Sequence, residues 1–530
     1  MQDINRAFLQ LVRRAENYDR SHLVSTFVDI GPLFTLLSVK EDQILYGRRG
    51  TGKTHALYYL AGTVEQQGDI AVQIDMRTVG SSGGIYSDSS LPLGERATRL
   101  LIDTLSEIHE SLLGIFVEDE SDIYDLSKLG PLMDRFADAI TDVEVEGTVE
   151  QEKTNNFRHQ SDDSVGFSFD ASHKGINMSS SFRSNDLIEN NTQTRTLSVG
   201  KRRHRVHFGA IQHILSEIVR NINGKHIWLL LDEWSEVPLD IQPFLADLLR
   251  RTVLPVSNIT VKIAAIEQRC KFRFMTEGAN YIGIEVGADA ATSLNLDEYM
   301  VFDNDAQKAK EFFRELLFRH IQPLIQNIDS VNYITDSESL IQQAFTQQNA
   351  FDDFVRSAEG VPRDAINILG LAAQKADQNP ISISHIRVAA KTWYNRAKES
   401  AVNSKPEALK LLRWIIDEVI AHRRARAFLL RNDVKDELID YLFDARVLHV
   451  VKQSVSSHDQ PGVRFNVYGI DYGCYVDLIN TSKAPQGLFE AEQDDEEVKF
   501  IGVPVNDYRS IRRAILDINI FRKNILDRKN

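Results

Sequence analysis

Residues 47–54 read Gly47-Arg48-Arg49-Gly50-Thr51-Gly52-Lys53-Thr54, a complete match to the pattern G-x-x-x-x-G-K-[ST]. Residue types at this spacing bind phosphate. The glycines let backbone N–H groups turn inward around phosphate oxygens, and a helix that follows adds its positive end. Lys53 would reach the β- and γ-phosphates of ATP, and the Thr54 hydroxyl would hold Mg2+. A Gly-rich turn arising by chance would need neither a strand before it nor a helix after it.

A second pair of candidates lies far downstream. The run Ile227-Trp228-Leu229-Leu230-Leu231-Asp232-Glu233 has the pattern of a buried strand that delivers two carboxylates at its C-terminal end. Asp232 suits the Mg2+ shell, and Glu233 suits polarisation of an attacking water. The bland alternative is an apolar strand ending in a solvated acidic turn. Coupled to the Gly-rich loop, the pair favours hydrolysis over simple nucleotide switching.

The elements that must position these residues surround them. An apolar strand at Ile44–Tyr46 precedes the loop, and a helix-forming stretch follows it to Leu60. Further strands are expected at Ile70–Met76, His226–Leu231 and Ile259–Ile266, with helices over 92–115, Phe208–Arg220 and Pro238–Arg251. Strands alternating with helices predict an α/β fold, doubly wound on a mostly parallel sheet. Residues 145–205 are polar, and alternation at Val165, Phe167 and Phe169 and at Ile176 and Met178 predicts an inserted β-hairpin. Beyond residue 303 helices are expected at 305–328, 337–347, 350–357 and 363–377, an all-α second domain. From Pro406 come a long amphipathic helix, a strand Ala427–Leu430, a helix Val434–Ala445 and strands Val447–Val455 and Val463–Ile470. That is winged-helix order.

Glu359-Gly360-Val361-Pro362-Arg363 opens a helix of the all-α region. Taken with the two motifs above, it makes the sequence resemble the AAA+ ATPases, whose lid helix begins with a G-x-P-R-type motif. The resemblance implies that Arg363 is sensor 2, a guanidinium placed on the γ-phosphate; the alternative is an arginine that caps the lid helix or pairs with neighbours of Asp364. It implies a sensor 1 role for Gln268, or failing it Glu267, where Asn or Thr is commoner. Arg269 is similar to an arginine of the STAND class of signalling NTPases. An arginine finger acting across a subunit boundary has four candidates, Arg250, Arg251, Arg269 and Arg273, each of which could equally be a surface arginine.

The order of parts over residues 25–480 resembles the origin-recognition, archaeal-initiator type and bacterial ATP-binding relatives. It implies a P-loop NTPase core with a parallel sheet, an α-helical lid and a C-terminal winged helix. The expected domains are 1–40, a helical lead-in; 41–302, the ATPase core, with 145–205 inserted; 303–402, the lid; 403–482, the winged helix; and 483–530, an acidic linker and tail helix.

Composition narrows the partners. Lys and Arg number 61 against 76 Asp and Glu, a net charge of −15, which argues against a chain that coats nucleic acid indiscriminately. Basic residues gather at 201–205 and at 422–426, whereas the helix Val434–Ala445 carries Asp436, Glu437, Asp440 and Asp444. Such a helix is better suited to packing subunits than to reading a DNA groove. No apolar run is long enough to span a membrane, and two cysteines, Cys270 and Cys474, fit a reducing cytoplasm. The acidic run at 490–497 reads as a solvated linker, and Tyr508–Ile520 as an amphipathic helix that docks on a neighbouring subunit or on its own chain. The expectation is a cytoplasmic, Mg2+-dependent, homo-oligomeric ATPase that remodels or loads onto DNA or a partner protein. Two alternatives stand beside it: a STAND-like nucleotide-switched scaffold with slow turnover, as in phage defence, and an initiator-like DNA binder.

Overall fold

Strands covered on both faces are mostly apolar, and the strands near the two motifs follow this tendency, with the buried Lys262 an exception. In the computed structural model, Ile227–Asp232 is buried along its length apart from the half-buried Asp232, and Ile259–Ala265 is buried at every position. The structure describes residues 1–12, 20–29, 31–79, 86–88, 90–118, 123–141, 143–146, 201–204, 206–276, 281–289, 292–301, 305–326, 328–423, 425–456, 462–476 and 515–523. The hairpin expected within 165–178, the turn 457–461, the acidic run 490–497 and residues 508–514 lie outside this set.

In chain order the elements are α1 (Asp3–Gln10), α2 (Arg20–Thr26), α3 (Leu33–Leu37), β1 (Gln43–Tyr46), α4 (Lys53–Gln66), β2 (Ile70–Asp75), α5 (Leu93–Val117), α6 (Leu126–Thr141), β3 (Val143–Glu146), β4 (Lys201–His204), α7 (Phe208–Asn221), β5 (Ile227–Asp232), α8 (Gln242–Thr252) and β6 (Ile259–Ala265). There follow β7 (Arg273–Met275), β8 (Tyr281–Gly283), β9 (Thr292–Asn295), α9 (Leu296–Met300), α10 (Ala306–Ile325), α11 (Ser337–Ala344), α12 (Gln348–Ala358), α13 (Pro362–Ala376), α14 (Ile383–Ala397) and α15 (Glu399–Asn403). The last are α16 (Pro406–Ile415), β10 (Ala427–Arg431), α17 (Glu437–Asp444), β11 (Leu448–Ser456), β12 (Arg464–Ile470), α18 (Tyr472–Tyr475) and α19 (Ile518–Phe521). Five strands form one sheet in the order β2-β5-β6-β1-β9, and the pairs β1–β6, β1–β9 and β2–β5 run parallel. The fold is α/β with a parallel sheet.

The chain divides into two units. One comprises Met1–Gln67, Lys262–Cys270 and Ala291–Asn530; the other comprises Gly68–Val261 and Lys271–Ala290. In the second unit α5, α6, α7 and α8 pack against one another, and α5 also covers β2. Helix α5 buries Leu100, Leu101, Leu105, Ile108, Leu112 and Phe116, an apolar stripe at helical spacing. The basic run 201–204 is a strand here, paired antiparallel with Val143–Glu146 so that Arg203 stands opposite Glu144 and Lys201 opposite Glu146. The hairpin β7–β8 closes this unit and was not expected from sequence.

In the first unit α12, α13 and α14 pack together around α13, ten of whose fifteen residues are buried. Helix α14 was not foreseen; a Ser382–His385 capping box starts it after Pro380. The C-terminal module follows the expected order of helix, strand, helix and hairpin, with its three strands arranged β10-β12-β11. Its second helix starts at Glu437 rather than Val434, because the Asp436 carboxylate accepts from the amides of Leu438 and Ile439 and caps it. The tail docks on its own chain. The Leu516 amide donates to the Leu429 carbonyl at 2.9 Å, Phe521 packs on Trp414, and Arg522 pairs with Asp436. Among the described residues no helix is long and apolar enough to cross a membrane.

Candidate functional site

The Gly-rich loop links the end of β1 to the start of α4, in the first unit. The Gly47 amide donates to the carbonyl of Ala265 at the end of β6, 3.3 Å away, which fixes the loop's departure from the sheet. A Cβ at Gly47 would lie 2.5 Å from Thr51 Oγ1, so the turn closes only around glycine. Gly50 has φ +88°, the left-handed region, and a Cβ there would sit 2.8 Å from Arg363 Cβ. Helix α4 then begins at Lys53 without any side-chain cap. Its first amides are therefore directed at the loop, where an anion would satisfy them.

Lys53 is buried at this helix start. Its Nζ donates to the carbonyls of Gly47 (2.9 Å) and Arg48 (3.2 Å), so the ammonium lies over the loop. Thr54 is half-buried in the first turn and Arg49 is exposed. Arg48 differs from the rest of the motif. Its side chain is 2% exposed and pairs with Asp297, with Nε 2.9 Å from Oδ1 while the Arg48 amide donates to Oδ2 at 3.0 Å. Its Nη2 donates to the carbonyl of Glu359 at 2.6 Å. Arg48 thus braces the loop against the residues leading into α13.

Arg363 is brought to the same loop. Its amide donates to the Gly50 carbonyl at 3.2 Å, and its Cβ and Cδ would touch a side chain at Gly50. Pro362 occupies the first helical turn of α13, where a missing N–H costs nothing. Asp364, the next residue, is wholly buried and receives Arg446 Nη1 at 2.6 Å and Lys398 Nζ at 2.9 Å. Burial opposes a charge on Asp364, but Lys398 and Arg446 outweigh it and hold the carboxyl below its ordinary range. Lys398 also binds Asp471, so two cations and two carboxylates balance within one buried cluster.

Gln268 lies in a single 3-10 turn just past β6. Its Oε1 is shielded from solvent and accepts no hydrogen bond among the described residues. Glu267 is instead tied to Asn295 (3.5 Å) and Gln453 (3.1 Å), which makes it the weaker of the two sensor 1 candidates. The four arginines considered for action in trans are all engaged within their own unit. Arg250 and Arg251 share Asp247, Arg269 faces Asp444 at 3.4 Å, and Arg273 meets Glu285 at 2.8 Å.

Asp232 and Glu233 belong to the second unit. Asp232 ends β5, and its Oδ1 accepts from the Glu233 amide at 2.8 Å. Glu233 has φ +53°, a left-handed conformation that costs a non-glycine residue about 1–2 kcal/mol. Strain of this kind gathers at functional sites. Among the described residues no group of three or more His, Cys, Asp or Glu is placed to hold a metal ion.

Asp297, Asp364, Lys398, Arg446 and His449 were not identified from sequence. Asp364 stands beside Arg363 in the motif, which was a usable signal. The others carry none, because their partners are remote in the chain. His449, fully buried on β11, lies 3.1 Å from a Glu359 carboxylate oxygen, and burial with Arg48, Lys398 and Arg426 nearby holds its pKa well below the ordinary value.

No family model matches this chain, and no curated protein matches it either. A solved structure to which it is similar is that of the Aeropyrum pernix ORC1 protein in complex with DNA. The two share 12% sequence identity over 87% of this chain and 96% of that one, with a TM-score of 0.30.

Proposed function

We propose that the chain is a cytoplasmic, Mg2+-dependent ATPase of the AAA+ kind. Lys53 and the amides of residues 47–54 bind the phosphates. Thr54 and Asp232 hold Mg2+, Glu233 orients the attacking water, and Gln268 and Arg363 contact the γ-phosphate. Bound Mg2+ would neutralise charge that develops on the transferred phosphoryl group.

One observation carries the reading. Arg363 lies against Gly50 of a loop whose residues match the phosphate-binding pattern at every constrained position. A chance Gly-rich turn gives no reason for an arginine at the start of a distant helix to adjoin it. Phosphate release from ATP is the test. Lys53→Ala should abolish turnover in the full chain, and unchanged hydrolysis would overturn the assignment.

Under this reading the chain forms homo-oligomers, and ATP turnover drives the remodelling of a protein or DNA client. The pairing of Arg250, Arg251, Arg269 and Arg273 within the chain favours a second reading, a nucleotide-held switch with slow turnover. Turnover per chain that rises with protein concentration supports the oligomeric ATPase, and turnover independent of concentration supports the switch. Initiator-like DNA binding, the third reading, is tested by a salt-dependent shift assay on duplex DNA.

A further inference from the structure

Arg363 reaches the Gly-rich loop from the first turn of α13, and that turn is held from behind. The residue after it, Asp364, is gripped by Arg446 from the loop after α17 and by Lys398 from the junction of α14 and α15. Lys398 is fixed in turn by Asp471, which follows β12 and whose amide donates to the Val447 carbonyl at 2.9 Å. The exposures of these side chains are 0% for Asp364, 3% for Lys398 and Asp471 and 15% for Arg446. Arg446 itself adopts φ +60°. Alongside, Arg48 Nη2 donates to the Glu359 carbonyl, and the buried His449 of β11 lies 3.1 Å from the Glu359 carboxylate.

A cluster of this kind is a poor device for stability alone, since well-packed apolar residues would serve as well or better. Its geometric effect is specific. Asp364 accepts a charge-assisted hydrogen bond from Arg446 on one oxygen and forms an ion pair with Lys398 at the other, which ties the first turn of α13 to the module of β11 and β12.

We propose that Arg446 is a positioning residue for Arg363: through Asp364, the C-terminal module sets the direction in which Arg363 is presented to the phosphate loop. The inference rests on the role given above to Arg363. The module is then part of the ATPase mechanism, because a partner that shifts Arg446 retunes Arg363 without touching nucleotide.

A double-mutant cycle on the full chain tests this. Arg446→Gln should lower kcat for ATP about tenfold or more in the wild-type background, and Arg446→Lys should recover part of the loss. In an Arg363→Ala background the same Arg446→Gln change should alter kcat by less than about twofold, because the group it positions is gone. Asp364→Asn, which keeps the side chain's shape, should give the same non-additive pattern and serves if Arg446→Gln melts below the assay temperature. Equal fold losses in both backgrounds, or unchanged kcat in both single variants, would overturn the proposal. Lys53→Ala separates the two layers. If it hydrolyses ATP like the wild type, the ATPase reading fails; if it is inactive and the cycle is additive, only the positioning role fails.

Discussion

The backbone amide of Arg363 donates to the carbonyl of Gly50, joining the phosphate loop to the first turn of a helix more than three hundred residues downstream. The bond leaves no room for a side chain on Gly50. Gly50→Ala adds both a left-handed backbone penalty and a Cβ only 2.8 Å from Arg363 Cβ. We expect a stability loss of about 1–3 kcal/mol together with weaker ATP binding, read by thermal melting and nucleotide titration. Normal binding would show that the loop tolerates displacement of α13.

Arg48 sits within the motif yet braces it. Removing the guanidinium strands Asp297, which is 5% exposed, as a buried charge without this partner. Arg48→Met should therefore cost about 3–5 kcal/mol. The double variant Arg48→Met/Asp297→Asn should recover more than half of that. Denaturant unfolding of Arg48→Met, Asp297→Asn and the double variant checks the order, and additive losses would contradict a direct pair.

Glu233 combines strain with a proposed chemical role. Glu233→Gly should stabilise the protein by about 1 kcal/mol by relieving φ +53° while removing the carboxylate. Glu233→Gln keeps the strain, so its melting temperature should be unchanged while turnover falls about 100-fold or more with ATP binding retained. A Gln variant that hydrolyses normally would relieve Glu233 of its role.

Asp353 on α12 is fully buried and receives the Tyr472 hydroxyl at 3.0 Å and Arg387 at 3.4 Å. Burial raises its pKa from 3.8 to about 6, against the pull of Arg387, Tyr472 and Arg356. A raised folded-state pKa means the folded chain binds the proton more tightly than the unfolded chain. The stability it contributes is present below about pH 4 and is lost as pH rises through 6, by about 3 kcal/mol. Asp353→Asn should remove that slope between pH 4 and 6, as measured by melts across the range. An unaltered slope would place the titration elsewhere.

Legibility from sequence followed the distance over which the physics acts. The apolar runs of β1, β2, β5 and β6 and the glycine spacing of 47–54 are local, and the elements fell where they were read. Strand β9, with the sequence Thr-Ser-Leu-Asn, carries no apolar run because it is an edge strand next to β1. Strands β7 and β8 are three residues each, too short to show a period. The bracing role of Arg48 needs Asp297, and that of Asp364 needs Lys398, Arg446 and Asp471. No period or spacing reports pairs that only the closed fold creates.

The docking of residues 515–523 has a consequence for how firmly that segment is held. It is attached covalently through 477–514 to the module it rests on, so its binding is intramolecular, at an effective concentration that can reach the millimolar range. A contact set too weak to hold two separate molecules together then stays occupied. Cutting the connection would convert this latch into a dilution-sensitive complex, and release of the tail would bare Leu429 of β10 and Trp414 of α16 together.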